Sequence, residues 1–216
     1  MKNVKFLAAA LTMVLSQGLS AQADFDDTNI ASHILDVNVP EVALLDIWDV
    51  GTTSEAGAIS FDMTDVTSQV GINGEAGLYA FGDVSYSDLW LNYTSVVASA
   101  ANVNGFDLDR KINVQLLAGS TFPDNLDLRI MPEAPVIIVD GGTVASAGTV
   151  APLGVALGAT TAIGTDALLV DSIESVYTGD EQYGVRLTYT LEQNGGFEAY
   201  YAGVYQATVQ YTLTDL

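Results

Sequence analysis

Strict alternation of apolar and polar residues is the feature that most constrains the fold of this chain. Ile112, Val114 and Leu116 alternate with polar neighbours, and residues 126–130 repeat the pattern. Because successive side chains of a strand point to opposite faces, such alternation is typical of a strand buried on one face only. Short strands of this kind, separated by turns rich in Gly, Asn and Asp, predict an all-β fold, an antiparallel β-sandwich of Ig-like or jelly-roll topology.

The same pattern predicts strands elsewhere and one specific pairing. Residues 183–191 and 205–213 alternate in register with each other, and an Asn-Gly-Gly turn signal lies between them, so we expect them to be neighbours in one sheet. Further strands are expected at residues 35–39 (ended by Pro40), 42–48, 59–63 and 136–139, with weak strands within 141–165. Only residues 95–102 and 165–172 are candidates for a short turn of helix.

The first 23 residues have the three parts of an export signal. Lys2 and Lys5 supply positive charge, residues 6–15 are apolar, and Ala21-Gln22-Ala23 forms a small-x-small cleavage site. The apolar part is shorter than the roughly 20 residues that cross a bilayer, so it does not favour a membrane span. We therefore expect residues 1–23 to be removed, and residues 24–216 to form a single β-sandwich domain that is secreted or displayed at the cell surface.

Composition narrows the classes of function. The chain has no cysteine, which excludes disulfides and thiolate metal sites, and its formal charge of −21 repels phosphate backbones and anionic membrane surfaces. Nucleic acid is therefore not an expected partner. The single histidine, His33, aligns with the apolar positions of the strand expected at 35–39, which favours a structural position at its start over a catalytic one.

No motif predicts an enzyme. A Gly-x-Ser-x-Gly elbow, a phosphate-binding loop and a dinucleotide fingerprint are all missing from the sequence. A carboxylate pair for glycoside hydrolysis remains an alternative, because its spacing is invisible in sequence, and Glu174, Glu192 and Glu198 lie nearest to aromatic residues. We expect no enzymatic activity and no cofactor. Calcium is the one alternative, because the acidic clusters are either simple solvated loops or calcium ligands.

Two sets of residues are candidate binding sites. For calcium, oxygen ligands cluster at Asp24, Asp26 and Asp27, and again at Asp107 and Asp109. For a glycan or protein partner, exposed aromatic rings offer flat surfaces, and the candidates are Trp90, Tyr200, Tyr201 and Tyr205. Trp90 falls on the polar side of its strand, so it is either packed in a strand buried on both faces or exposed as a platform.

The tail, residues 203–214, reads Gly-Val-Tyr-Gln-Ala-Thr-Val-Gln-Tyr-Thr-Leu-Thr. It resembles the closing strand of bacterial surface β-sandwich subunits of the pilin and spore-coat-U-like type. That resemblance implies a structural or adhesive surface protein that assembles with itself or with other surface proteins. An extracellular carbohydrate-binding module and a small acid-based hydrolase are the alternatives.

Residues 24–39 raise a question about assembly. A polar lead precedes the alternating residues Leu35, Val37 and Val39, and such a terminal strand either pairs within its own sheet or adds to the exposed edge of another subunit. Both arrangements are compatible with the sequence.

Overall fold

The computed structural model describes residues 33–61, 84–99, 107–194 and 203–215. The described residues contain no helix, and their strands are β1 Val42–Asp49, β2 Ser54–Glu55, β3 Val84–Val96, β4 Arg110–Leu116, β5 Leu126–Pro132, β6 Thr149–Val150, β7 Val155–Gly158, β8 Ala167–Ile173, β9 Val176–Tyr177, β10 Val185–Gln193 and β11 Val209–Asp215. The chain divides into a unit of residues 1–38, described only at 33–38, and a unit of residues 39–216 that carries all the strands just named.

The strands form two antiparallel sheets that pack against each other, so the predicted all-β sandwich is confirmed. The larger sheet has seven strands in the order β2-β1-β3-β10-β5-β7, and β9 pairs with the end of β3. The smaller sheet has four strands in the order β11-β4-β8-β6. β1 and β11 contact each other along one side of the sandwich.

Alternation in the sequence becomes burial in the structure. Along β4, Ile112, Val114 and Leu116 are fully buried while the residues between them are half-buried, and β3 and β10 place Leu91 and Leu187 in the same core. Burial of such a side chain contributes about 1.5–3 kcal/mol. The core therefore supplies the stability of a chain that has no disulfide.

Two polar contacts cross the core from sheet to sheet. The hydroxyl groups of Tyr189 on β10 and Tyr211 on β11 lie 2.6 Å apart and share a hydrogen bond. At one end of the sandwich, Arg110 on β4 donates to the carbonyl oxygens of Val42 and Val96, in β1 and β3 of the other sheet.

The C-terminal pairing predicted from the sequence is wrong. β10 pairs with β3 and β5 in the larger sheet, whereas β11 pairs with β4 in the smaller one. The alternation was read correctly, because Tyr189 and Tyr211 both point into the core, but they face each other across it. Two strands whose apolar faces match can pack face to face as well as side by side, and alternation alone does not distinguish these arrangements.

Several expected local structures also differ. Residues 33–41 form no strand, and Val136 makes only an isolated bridge, to Gly184, with residues 137–139 outside any strand. Residues 59–61 lie outside the strands although Ile59 and Phe61 pack on the core, and residues 62 and 63 fall outside the described ranges. The two candidate helical turns are instead strand over residues 95–96 and 167–172, and residues 100–102 of the first lie outside the described ranges. The weak strands expected within 141–165 are confirmed as β6 and β7.

Candidate functional site

The two tryptophans of the chain lie opposite each other on the outer face of the larger sheet. Trp48 of β1 pairs in register with Trp90 of β3, and Trp90 pairs on its other side with Arg186 of β10. Both rings belong to half-buried residues, whereas Leu89 and Leu91, on either side of Trp90, are fully buried in the core. Trp90 therefore lies on the face opposite the core and is half-buried there, between the full packing and the full exposure that were the two alternatives.

Charged residues close both ends of this row, which we call the tryptophan row: Glu55, Trp48, Trp90, Arg186 and Glu133. Glu55 of β2 pairs with Trp48, and the backbone N–H of Glu133 donates to the carbonyl oxygen of Arg186 at 2.9 Å. The Arg186 guanidinium is positioned by donation from Nε to the Ser87 carbonyl at 2.9 Å, and Nη1 lies 3.5 Å from the Glu133 carboxylate. The row thus crosses four strands and ends beside β5.

A buried carboxylate fixes the turn at the β1 end of the row. Asp49 accepts hydrogen bonds from the Tyr86 hydroxyl at 2.5 Å and from the backbone N–H of Gly51 at 2.9 Å. Burial raises the pKa of Asp49, but these hydrogen bonds and that of Thr52 outweigh it, so the pKa lies below its usual value. The hydrogen bond to Asp49 also raises the pKa of the Tyr86 hydroxyl, to about 12. The turn that leads into β2 is therefore anchored to β3.

The adjacent row of the outer face is covered rather than open. Asn92 is 5 % exposed, and its Nδ2 donates to the carbonyl oxygens of Glu181 at 3.2 Å and Tyr183 at 2.7 Å. Gly184 makes this close approach possible, because a Cβ there would lie 2.1 Å from the Leu91 carbonyl oxygen and its φ is +79°. The segment 181–184 therefore covers the sheet next to the tryptophan row and marks its boundary.

A second candidate surface lies where β1 and β11 meet. A cavity of about 270 Å³ opens there, and it is lined by Leu45, Asp46, Ile47, Glu55, Ala56 and Tyr211. Core side chains on this side, among them Ile47, Val209 and Leu213, are only half-buried, whereas those of β3, β4 and β10 are buried. In the part of the chain that the structure describes, β11 pairs on one side only, with β4. No described strand pairs with its other edge.

The segment before β1 exposes its apolar side chains. Ile34, Leu35, Val37 and Val39 are 88, 76, 73 and 67 % exposed, and residues 33–41 form no strand. His33 is exposed at the start of this segment and does not cap the apolar face of a strand. The described part of residues 24–39 therefore does not pair within a sheet, which was one of the two arrangements that the sequence left open.

The structure does not bring together the aromatic residues singled out from the sequence. Tyr205 is 42 % exposed and lies outside the strands, in the stretch that leads into β11 of the smaller sheet, whereas Trp90 belongs to the larger one. Tyr200 and Tyr201 lie outside the described residues.

For calcium, Asp24, Asp26 and Asp27 also lie outside the described residues. Asp107 and Asp109 are half-buried, and the backbone N–H of Asp107 donates to Glu41 Oε1 at 3.1 Å. Within the described ranges, no three His, Asp or Glu side chains are grouped to hold a metal ion. Among the described residues, Asp107 and Asp109 are therefore not grouped with a third acidic ligand.

Of the glutamates considered for glycoside hydrolysis, Glu192 lies in β10 of the larger sheet and Glu174 follows β8 of the smaller one. Glu192 is held in an ion pair with Arg129, at 2.6 Å between Oε1 and Nε, and Glu174 is exposed at the end of β8. Glu198 lies outside the described residues.

Sequence reasoning identified Trp90 but missed Trp48 and Arg186. A signal was available, since Leu45 and Ile47 alternate with Trp48 as Leu89 and Leu91 do with Trp90, which places both tryptophans on outward faces. The alternation does not show that β1 pairs with β3, because that pairing joins residues about forty positions apart in the sequence.

No helix among the described residues is long and apolar enough to cross a membrane. Comparisons of the chain with protein-family models, with curated proteins and with solved structures found no match.

Proposed function

We propose that the protein is a secreted or surface-displayed structural subunit that assembles with copies of itself. The observation that carries the proposal is the pair of complementary surfaces just described. One is the exposed apolar segment 33–39, and the other is the edge of β11 that has no partner strand among the described residues, beside the half-buried core.

The segment has the properties of a strand that lacks a partner. Leu35, Val37 and Val39 fall on one face of an extended chain, with Asp36 and Asn38 on the other. Burial of each apolar side chain contributes about 1.5–3 kcal/mol, so exposure of the whole set is costly. Pro40 has no backbone N–H and ends the segment before β1 begins at Val42.

The edge of β11 offers the matching surface. Unpaired backbone N–H and C=O groups of an edge strand are a template for another strand. A strand added there presents its apolar face to Tyr211 and Leu213, which pack on the core but remain half-buried. Segment 33–39 of one copy then pairs with β11 of the next, and the repeat of this contact builds a chain of subunits.

Cysteine cross-linking tests the proposal, because the natural chain has no cysteine to interfere. Outward-facing positions are required on both strands, so Asn38→Cys is mixed with Gln210→Cys and, separately, with Thr212→Cys. A disulfide forms only where the Cα atoms come within about 7 Å. We expect a disulfide-linked heterodimer in at least one mixture, and a ladder of covalent oligomers when both cysteines are in one chain.

The control is Leu153→Cys, an exposed position beside β7 at the opposite edge of the larger sheet. Cross-linking of Asn38→Cys to Leu153→Cys as efficiently as to β11 would show random collision. A second arm replaces Val37 with Asp, which should leave the sandwich folded but abolish oligomers in analytical ultracentrifugation, while Asp36→Asn should not. A natural chain that stays monomeric at every concentration overturns the proposal.

A further inference from the structure

We infer that the tryptophan row is a binding surface for a neutral polysaccharide, distinct from the assembly surfaces except at Glu55, which also lines the cavity between β1 and β11. The row lies on the outer face of the larger sheet, whereas assembly is proposed at the segment 33–39 and the edge of β11. The inference therefore holds or fails independently of self-assembly.

The position of the tryptophans is the first argument. The chain has two, and both lie on the outward face in directly opposed positions, while the buried core is built from Leu, Ile, Val, Ala and Tyr. Residues directly opposite in an antiparallel pair have Cβ atoms about 4.5–5.5 Å apart. Two broad apolar side chains thus lie in neighbouring positions on a face where the other described residues are mostly polar.

The outer face of the smaller sheet provides the comparison. Its described strands β4 and β11 carry Lys111, Asn113 and Gln115 opposite Thr214, Thr212 and Gln210, with no aromatic residue. That face is built as a solvated surface, since Gln115 Nε2 simply donates to Gln210 Oε1 at 3.1 Å. The two outer faces differ in kind, and only the one with the tryptophans combines apolar rings with charged ends.

The ends of the row select the chemistry of the ligand. Glu55 and Glu133 accept hydrogen bonds from hydroxyl groups, and Arg186 donates them, having five N–H donors of which two are engaged in the contacts already described. A sugar ring has an apolar C–H face for an aromatic ring and hydroxyl groups around its rim, so it meets both requirements.

The negative charge of the surface excludes anionic polysaccharides. Asp46 and Asp88 lie on the same face, next to Trp48 and Trp90 along their strands, and the whole chain has a formal charge of −21. An acidic polysaccharide would be repelled by this surface, and Arg186 is already close to the Glu133 carboxylate. A neutral chain of several sugar units, long enough to cover both rings and reach Arg186, fits best.

The fluorescence of the two tryptophans reports on binding at this site, because the chain has no other tryptophan. Intrinsic fluorescence of the natural protein is measured during titration with cellohexaose, maltohexaose, xylohexaose, mannohexaose and hexa-N-acetylchitohexaose, and with oligogalacturonate as the anionic comparator. We expect a saturable change in intensity or emission maximum with at least one neutral oligosaccharide and none with oligogalacturonate.

Single substitutions then localise the ligand. In Trp48→Phe the signal comes from Trp90, and in Trp90→Phe it comes from Trp48, so both variants should still respond to the sugar. Trp48→Ala and Trp90→Ala should each weaken binding at least tenfold by isothermal titration calorimetry, while Gln115→Ala on the opposite face should not change it. Circular dichroism verifies that each variant is folded.

Failure is equally clear. No response to any neutral oligosaccharide in the folded natural protein overturns the inference, as does tighter binding of oligogalacturonate than of every neutral one. A response that persists unchanged in both alanine variants would place the sugar elsewhere and overturn it as well.

Discussion

At the scale of single residues, buried charges in this protein are held by several hydrogen bonds rather than by one partner. Asp127 on β5 is 3 % exposed and accepts from the Thr160 backbone N–H at 2.7 Å, the Thr160 hydroxyl at 2.6 Å and Asn194 Nδ2 at 2.7 Å. A buried carboxylate is costly unless it is satisfied in this way. The network ties the start of β5 to the residues that follow β7 and β10.

This network predicts a pH dependence. Burial raises the pKa of Asp127, but the hydrogen bonds of Thr160 and Asn194 and the charge of Arg129 outweigh it, so the folded-state pKa lies below its usual value. A lowered pKa contributes stability that is present above the unfolded-state value of about 3.9 and is lost as the pH falls through the folded value. The unfolding free energy of the natural protein should therefore decline between about pH 5 and the folded-state pKa.

Asp127→Asn tests the assignment. The variant should be less stable at pH 7 by about 1–3 kcal/mol, since an amide cannot accept from all three donors, and the difference should shrink toward acidic pH. Urea denaturation at several pH values measures both effects. Asp124→Asn, at an exposed position nearby, is the control, and an equal pH dependence of the difference in both variants would contradict the assignment.

At the scale of elements, the alternation of β4 was fully readable from the sequence. Ile112, Val114 and Leu116 are 0, 0 and 1 % exposed, as expected for the inward face. β5 and β1 were equally predictable. Residues 35–39 were not, although they alternate just as well, because a strand exists only when a neighbour supplies its hydrogen bonds.

A pair of substitutions tests the faces of β4. Val114→Asp places an unpaired charge in the core and should destabilise the fold by more than about 4 kcal/mol or prevent folding. Gln115→Asp, one position along on the outer face, should cost less than about 1 kcal/mol. Thermal unfolding followed by circular dichroism measures both, and similar losses would mean that the two faces are not distinguished as the structure has them.

At the scale of the whole molecule, the sandwich architecture followed from the sequence but the distribution of strands between sheets did not. β10 and β11 were predicted to be neighbours, and they belong to different sheets. The same reason explains the candidate site: Trp90 was found from its own strand, whereas Trp48 and Arg186 join it through pairings across long stretches of chain. The alternation of apolar and polar residues shows which face of the sheet a side chain lies on. Its neighbours on adjacent strands depend on the order of the strands in the sheet.

Arg110 is one of the residues that join the two sheets. It is 3 % exposed, and besides the carbonyl oxygens of Val42 and Val96 it reaches Asp215, with 2.8 Å between Nε and Oδ1. Arg110→Met should destabilise the protein by about 3 kcal/mol, because the buried carbonyl groups lose their donor. Arg186→Met, on a half-exposed side chain, should cost about 0–1 kcal/mol in the same urea denaturation. Equal costs would contradict the role of Arg110.

The position of Arg110 also bears on how the chain is connected. Its guanidinium lies 3.8 Å from the Glu41 carboxylate as well as 2.8 Å from that of Asp215, so the start of β1 and the end of β11 are neighbours in space. A short flexible linker can therefore join them, and the exposed turn at Ala118 and Gly119 offers a place to open the chain instead. Such a circular permutant would keep every strand of both sheets while the extension that precedes β1 is removed. The sandwich and its extension can in this way be treated as separable parts of one molecule.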